Sequence, residues 1–257
     1  MTRAVKAFGI ATLVVAGAVA LPAGAHANLV QNGGFESLTG PADQFIGYAG
    51  GTQLTGWTYG AAPHPNAAVY TFDGADSFPG AQRPDGFFPL YGPGTGFNNG
   101  FSPSPAGGNF LASDGEASFS GPINQTITGL TPGGLYTLSF VWAGNQFLDS
   151  SSLATGGPLT IDWQVSLGSE TITTPIEVYT AHGFTGWMTQ TFTYMATSPT
   201  EVLSFLAQGG PDGEPPTALL DGVSLTVPEP ASWLIMILGV TGLGVLARRR
   251  RRAAPAP

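Results

Sequence analysis

The chain is 257 residues long with 38 Gly, 22 Pro and no Cys, and only 9% of it is charged, against roughly 25% in ordinary soluble domains. Gly and Pro at that density break helices and exclude a helical bundle, a 42% hydrophobic content excludes wholesale disorder, and the lack of Cys excludes disulfides, thiolate zinc sites, cysteine nucleophiles and a lipidated N-terminal cysteine. The net charge of −8 is segregated: residues 28–227 hold one cation, Arg83, against 15 Asp and Glu, a local charge of −14 that repels phosphates and excludes nucleic-acid binding.

At the N-terminus, Arg3 and Lys6 precede an apolar run that ends in Pro22 and small residues, and Ala25-His26-Ala27 forms an A-x-A cleavage signal. Residues 1–27 therefore read as a signal peptide, with the mature chain starting at Asn28. The run is too short and its flank too rich in small residues for a first membrane anchor.

Residues 28–227 are long enough for one large domain. The stretch from 60 to 108 is rich in Gly, Pro and aromatics and shows little alternation. A loop of that length is usually functional or disordered, and it contains Phe87, Phe88, Tyr91 and the domain's lone Arg83. Period-2 alternation then takes over. Strands are predicted at 123–128, 135–142, 161–167, 187–195, 201–206 and 219–227, with turns at Thr131-Pro132-Gly133-Gly134 and Leu167-Gly168-Ser169-Glu170. Many short alternating strands with Gly/Pro turns predict an all-β sandwich or jelly roll.

Within this domain Asp221 stands out, because simple alternation puts it in phase with Leu219, Val223, Leu225 and Val227 on an apolar face. A carboxylate there needs a partner, and the domain has almost no cationic side chain. Calcium takes oxygen ligands and needs neither Cys nor His; backbone amides at a sheet edge, or exposure at a bulge, would serve as well. Three acidic-Gly clusters, Asp73 with Asp76, Asp114 with Glu116 and Asp212 with Glu214, fit turn chemistry and match no EF-hand spacing. His64 and His182 are far apart in sequence and have no second ligand at metal spacing, so each reads as a loop residue. Trp57, Trp142, Trp163 and Trp187 read as core. The rings of Phe87, Phe88 and Tyr91 either stack on sugar faces or pin the loop to the sandwich. No G-x-S-x-G elbow, phosphate loop or H-E-x-x-H motif is present. Paired carboxylates could still serve a glycosidase, but nothing in the spacing selects a pair, and the chain is expected not to be an enzyme.

At the C-terminus, Pro228-Glu229-Pro230 is followed by 17 uncharged residues (231–247) and then by Arg248, Arg249, Arg250, Arg251 and Arg252; residues 253–257 form a short tail. The uncharged run spans about 25 Å as a helix, the short end of what a bilayer needs. The arginine block would lie in the cytoplasm and the acidic domain outside. Residues 228–252 resemble the PEP-CTERM sorting signal of exopolysaccharide-producing Gram-negative bacteria. That resemblance implies export, an inner-membrane intermediate, processing near Pro-Glu-Pro by a membrane-embedded exosortase, and delivery to the cell surface or matrix. Glu229 is then a recognition feature.

Segments spread along residues 28–227 resemble the galactose-binding-like jelly roll of carbohydrate-binding modules. They are Asn28–Ser37, Gly56-Trp57, Gly107–Ser113, Ile123–Phe140, Trp187 with the following Thr-Phe-Thr-Tyr, and Leu219–Leu225. The resemblance implies a structural calcium joining the first and last strands, its acids matching Glu36 and Asp221, and a partner in extracellular polysaccharide. The alternatives are a matrix or biofilm protein without a specific ligand, and a polysaccharide-active enzyme.

Overall fold

The computed structural model describes residues 27–40, 54–60, 69–72, 90–148 and 157–227. The signal segment, Arg83, Phe87, Phe88, His64, Asp73, Asp76, the sorting motif and the apolar tail lie outside the described residues. Eleven strands form two antiparallel sheets: β1 (Thr58–Tyr59), β2 (Val69–Phe72), β3 (Phe110–Asp114), β4 (Ile123–Thr128), β5 (Leu135–Gln146), β6 (Pro158–Leu167), β7 (Glu170–Thr173), β8 (Glu177–Thr180), β9 (Met188–Met195), β10 (Thr200–Gly210) and β11 (Pro216–Thr226). The six-stranded sheet runs β1-β4-β10-β6-β7, with β8 also paired to β6; the five-stranded sheet runs β2-β3-β11-β5-β9. Among the described residues no helix is long and apolar enough to cross a membrane, and the one helical turn is a 3-10 turn at Pro93–Thr95.

Alternation explains most of this architecture. In β5, Tyr136, Leu138, Phe140 and Trp142 turn inward while Thr137, Ser139 and Val141 face out. In β6 the inward set is Leu159, Ile161, Trp163, Val165 and Leu167. The two inner faces meet edge to face, with Phe205 of β10 5.2 Å from Phe140 and 5.9 Å from Trp163 between ring centroids. Two polar tips cross the layer: Trp163 Nε1 donates to the Leu219 carbonyl at 3.2 Å, and Tyr194 Oη to the Val165 carbonyl at 2.9 Å.

The six strands predicted from alternation are present, several of them longer than their pattern. β3 shows no alternation because all five of its residues are buried, between the main core and a second cluster on the outer face of the five-stranded sheet. Leu90, Phe101, Phe110, Ala112, Ala143, Phe147 and Leu219 form that cluster. The described part of the long Gly/Pro segment, residues 90–108, therefore acts as a cover for half of this face. β7 and β8 are four-residue edge strands, too short and too exposed to carry a period.

The β11–β5 register shifts between Asp221 and Ser224, and this bulge corrects the sequence expectation for Asp221. Leu220, Val223 and Leu225 join the main core whereas Leu219 joins the outer cluster. Asp221 thus shares the outer face with Leu219 and is out of phase with Val223 and Leu225. An extra residue reverses a strand's facing.

Candidate functional site

Three segments converge on Asp221. The turn at 32–37 is anchored by Phe35, fully buried at φ 58°, and by the Val223 N–H donating to the Gly33 carbonyl at 2.9 Å. The segment 104–109 supplies Ser104, whose hydroxyl donates to Asp221 Oδ2 at 2.5 Å. The bulge supplies the Gly222 N–H, donating to Asp221 Oδ1 at 2.6 Å. Glu36 is exposed beside this group, its Oε1 accepting the Asn109 N–H at 2.7 Å, while Asn109 Nδ2 ties down the Phe35 carbonyl at 3.1 Å. A Cβ on Gly34 would lie 3.9 Å from both Asp221 Oδ1 and Glu36 Cγ, and one on Gly108 would strike the Glu36 carboxylate. The two acids matched from sequence thus share one cradle.

Its electrostatics are unfavourable without a cation. Asp221 is fully buried, and burial pushes its carboxyl up to about 7; the Ser104 and Gly222 hydrogen bonds pull it down, and the Glu36 charge adds to the push. No Lys or Arg occurs among the described residues. The donor set is hard oxygen, which suits calcium. Among the described residues no three His or acidic side chains gather as metal ligands, so backbone carbonyls and water would complete such a shell.

A second constellation lies on the outer face of the six-stranded sheet. Register places Gln208 opposite Asp162, Leu206 opposite Gln164, and Ser204 opposite Ser166. Gln208 Nε2 donates to Gln164 Oε1 at 3.1 Å, leaving the other amide atoms of the pair without a described partner. Asp162 is 9% exposed, takes no hydrogen bond from the described residues, and is pushed above the usual carboxylate range by burial. Beside Gln208 opens a cavity of about 380 Å³ lined by Gly115, Ala117, Ser120, Pro122 and residues 206–209. In sequence, Asp162 and Gln164 are the polar positions of an alternating strand; pairing with Gln208 is what groups them.

A third group gathers two of the predicted acidic clusters at the end of the sandwich where β3 stops and β11 begins. The Glu116 N–H donates to Asp114 Oδ1 at 2.8 Å, and the Gly213 N–H to Glu116 Oε1 at 2.8 Å. Burial pushes Asp114 up to about 8; the Glu116 N–H opposes this, and the charges of Glu116 and Asp212 add to it. The Tyr59 hydroxyl is buried without a partner among the described residues, and both burial and the Asp114 charge raise it. The Tyr179 hydroxyl donates to the Asn145 carbonyl.

Of the three loop rings, Tyr91 is the one among the described residues. Tyr91 is 2% exposed, with its face stacked on His182 at 4.1 Å and its edge against Phe97 at 4.6 Å. It packs the loop against the segment between β8 and β9 and offers no free face to a sugar. Trp57, Trp142 and Trp163 are core; Trp187 is half-buried and donates to the Ser102 carbonyl at 2.9 Å.

Residues 226–252 match the PEP-CTERM protein-sorting motif, which implies export and exosortase processing. No curated protein matches the chain. Among solved structures it is similar to TmCBM61 in complex with β-1,4-galactotriose, at 16% identity over 79% of this chain and 99% of that one, with a TM-score of 0.42. It is also similar to the CBM22-1 xylan-binding domain from Paenibacillus barcinonensis Xyn10C, at 13% identity over 81% and 99%, TM-score 0.37. A putative sugar binding protein from Bacteroides thetaiotaomicron is similar at 10% identity over 79% and 100%, TM-score 0.36.

Proposed function

We propose that this exported protein is a non-catalytic surface protein whose sandwich binds uncharged extracellular polysaccharide on the outer face of the six-stranded sheet. The observation that carries this reading is the Asp162–Gln164–Gln208 group. A carboxylate and amide atoms without partners among the described residues stand side by side on a strand face, next to a cavity with an aliphatic wall from Leu206 and Pro122. Neutral sugar hydroxyls pair with such donors and acceptors, while the acidic surroundings disfavour anionic polymers. Among the described acids, Asp221, Asp114, Glu116 and Glu36 each accept a backbone N–H, and this supports binding over catalysis.

Binding of the mature protein to neutral glucan, galactan and xylan, followed by calorimetry, tests the reading. Asp162→Ala is expected to weaken the retained polymer about tenfold, the loss of one charge-assisted hydrogen bond. The same change leaves the thermal midpoint unchanged or higher, because it removes a shielded carboxylate with no partner among the described residues. Equal affinity of parent and variant, or no affinity for any neutral polymer, sinks the reading and leaves a matrix protein without a specific ligand.

A structural calcium held by Glu36 and Asp221 belongs to the same proposal, supported by two carboxylates close enough for the charge of one to raise the other, with no Lys or Arg among the described residues. Calcium at about 100 times its dissociation constant should stabilise the fold by about 2.7 kcal/mol, raising Tm by about 5–10 °C for a domain of this size. Asp221→Asn should abolish that response. Identical midpoints in calcium and in chelator would remove calcium from the account.

A further inference from the structure

Both ends of the sandwich domain leave from one pole. β11 ends at Thr226, paired with Thr137 near the start of β5. Asn28 and Leu29 lie against the same stretch: the Leu29 N–H donates to the Leu225 carbonyl at 2.9 Å, and the Leu225 N–H to Asn28 Oδ1 at 2.9 Å. The pole is completed by the turns 129–134 and 196–199, joined through Leu130 N–H to the Pro199 carbonyl and Gly133 N–H to the Ala196 carbonyl.

This pole carries four of the six exposed large hydrophobic residues among those described: Leu135 at 53%, Met195 at 53%, Val202 at 46% and Val227 at 44%. Leu135 and Met195 are cross-strand partners, and Val202 is two residues from the start of β10. Its two acids are turned to structural use. Glu170 Oε2 accepts the Met195 N–H at 3.2 Å, and Glu201 is buried under the 197–198 turn, accepting both N–H groups. Asp114, Glu116, Glu177, Asp212 and Glu214 lie toward the opposite pole, near the end of β10 and the start of β6 and β11.

Only residues 227–230 separate β11 from the uncharged run 231–247. Four extended residues reach about 14 Å at most, and the headgroup layer on one side of a bilayer takes up about 5–8 Å of that. The tether thus leaves at most about 6–9 Å between the end of β11 and the headgroup layer. We propose that, before processing, the Leu135–Met195–Val202–Val227 pole rests in the lipid headgroup layer, its occupant being the bilayer surface itself. This rests on the reading that residues 231–247 span the membrane. The placement turns the acidic pole away from anionic headgroups and holds the segment 228–230 at the membrane surface.

The absence of cysteine makes a direct test available. In the full chain, reconstituted in phosphatidylethanolamine/phosphatidylglycerol vesicles, single-site variants Leu135→Cys, Met195→Cys and Val202→Cys carry an environment-sensitive fluorophore; Asp212→Cys reports the far pole and Gly239→Cys the tail. Nitroxide lipids labelled near the headgroup should quench the first three, within about 5–10 Å of the headgroup/acyl boundary, and leave position 212 unquenched, while lipids labelled at the acyl-chain end should quench position 239 at the bilayer centre. Quenching at 239 without quenching at 135, 195 and 202 overturns the docking and keeps the span. No quenching at 239 overturns the span and the docking with it. Quenching at 135 only in vesicles that also hold the processing protease overturns the lipid contact in favour of a protein one.

Discussion

Asp114→Asn is expected to remove the steepest part of the protein's pH-dependent stability. The folded Asp114 carboxyl sits at about 8 against an ordinary 3.8, so between about pH 4 and 8 the folded chain keeps a proton that the unfolded chain has released. Stability from this group is fully present below the unfolded value and falls as pH rises through that window, by up to about 1.4 kcal/mol per pH unit. Asn cannot ionise, and its side-chain oxygen can still accept the Glu116 N–H. The variant should therefore match the parent near pH 4, show a shallower slope above it, and be the more stable protein at pH 8. Asp162 and Asp221, also pushed up by burial, leave a residual slope of the same sign. Urea unfolding at pH 4.5, 6 and 7.5 in chelator measures this, and parallel slopes for parent and variant would refute it.

Gly33→Ala is expected to be the most damaging small substitution around Glu36 and Asp221. A Cβ on Gly33 would lie 2.0 Å from the Val223 carbonyl oxygen and 2.9 Å from its carbon. Both are backbone atoms of the strand that hydrogen-bonds Gly33, so relief requires prising the 32–37 turn off β11. Overpacking of this kind costs about 3 kcal/mol, a fall of about 10 °C in Tm for a domain of this size. Any calcium response should weaken with it, because the turn carries Glu36. Gly157→Ala is the control: nothing lies within 4 Å of its Cβ position, and its midpoint should stay within about 0.5 kcal/mol of the parent. Equal midpoints for the two variants would show that the close approach at Gly33 does not exist in solution.

The cradle was half legible in the sequence. Alternation singles out Asp221 and the resemblance pairs it with Glu36, but nothing local in the sequence marks Ser104, in a stretch without periodicity, as the residue whose hydroxyl meets Asp221. Tyr91 shows the reverse limit. An aromatic in a long Gly/Pro loop reads equally as a platform or a pin, and only the stack on His182 decides for the pin. Asp162 is the plainest case. Its polarity on an amphipathic strand is what any solvent-facing position would show, and its grouping with Gln208 is a consequence of the β6–β10 register.

By itself the sequence determined the charge segregation, the sorting motif at one end and the all-β class, because net charge, motif order and period-2 patterning are local properties of a chain. Tertiary structure decided which face Asp221 occupies, which acids meet, and that both ends of the sandwich domain leave from one apolar pole. Each of these depends on register between strands distant in sequence, where a single extra residue in β11 reverses the facing of everything beyond it.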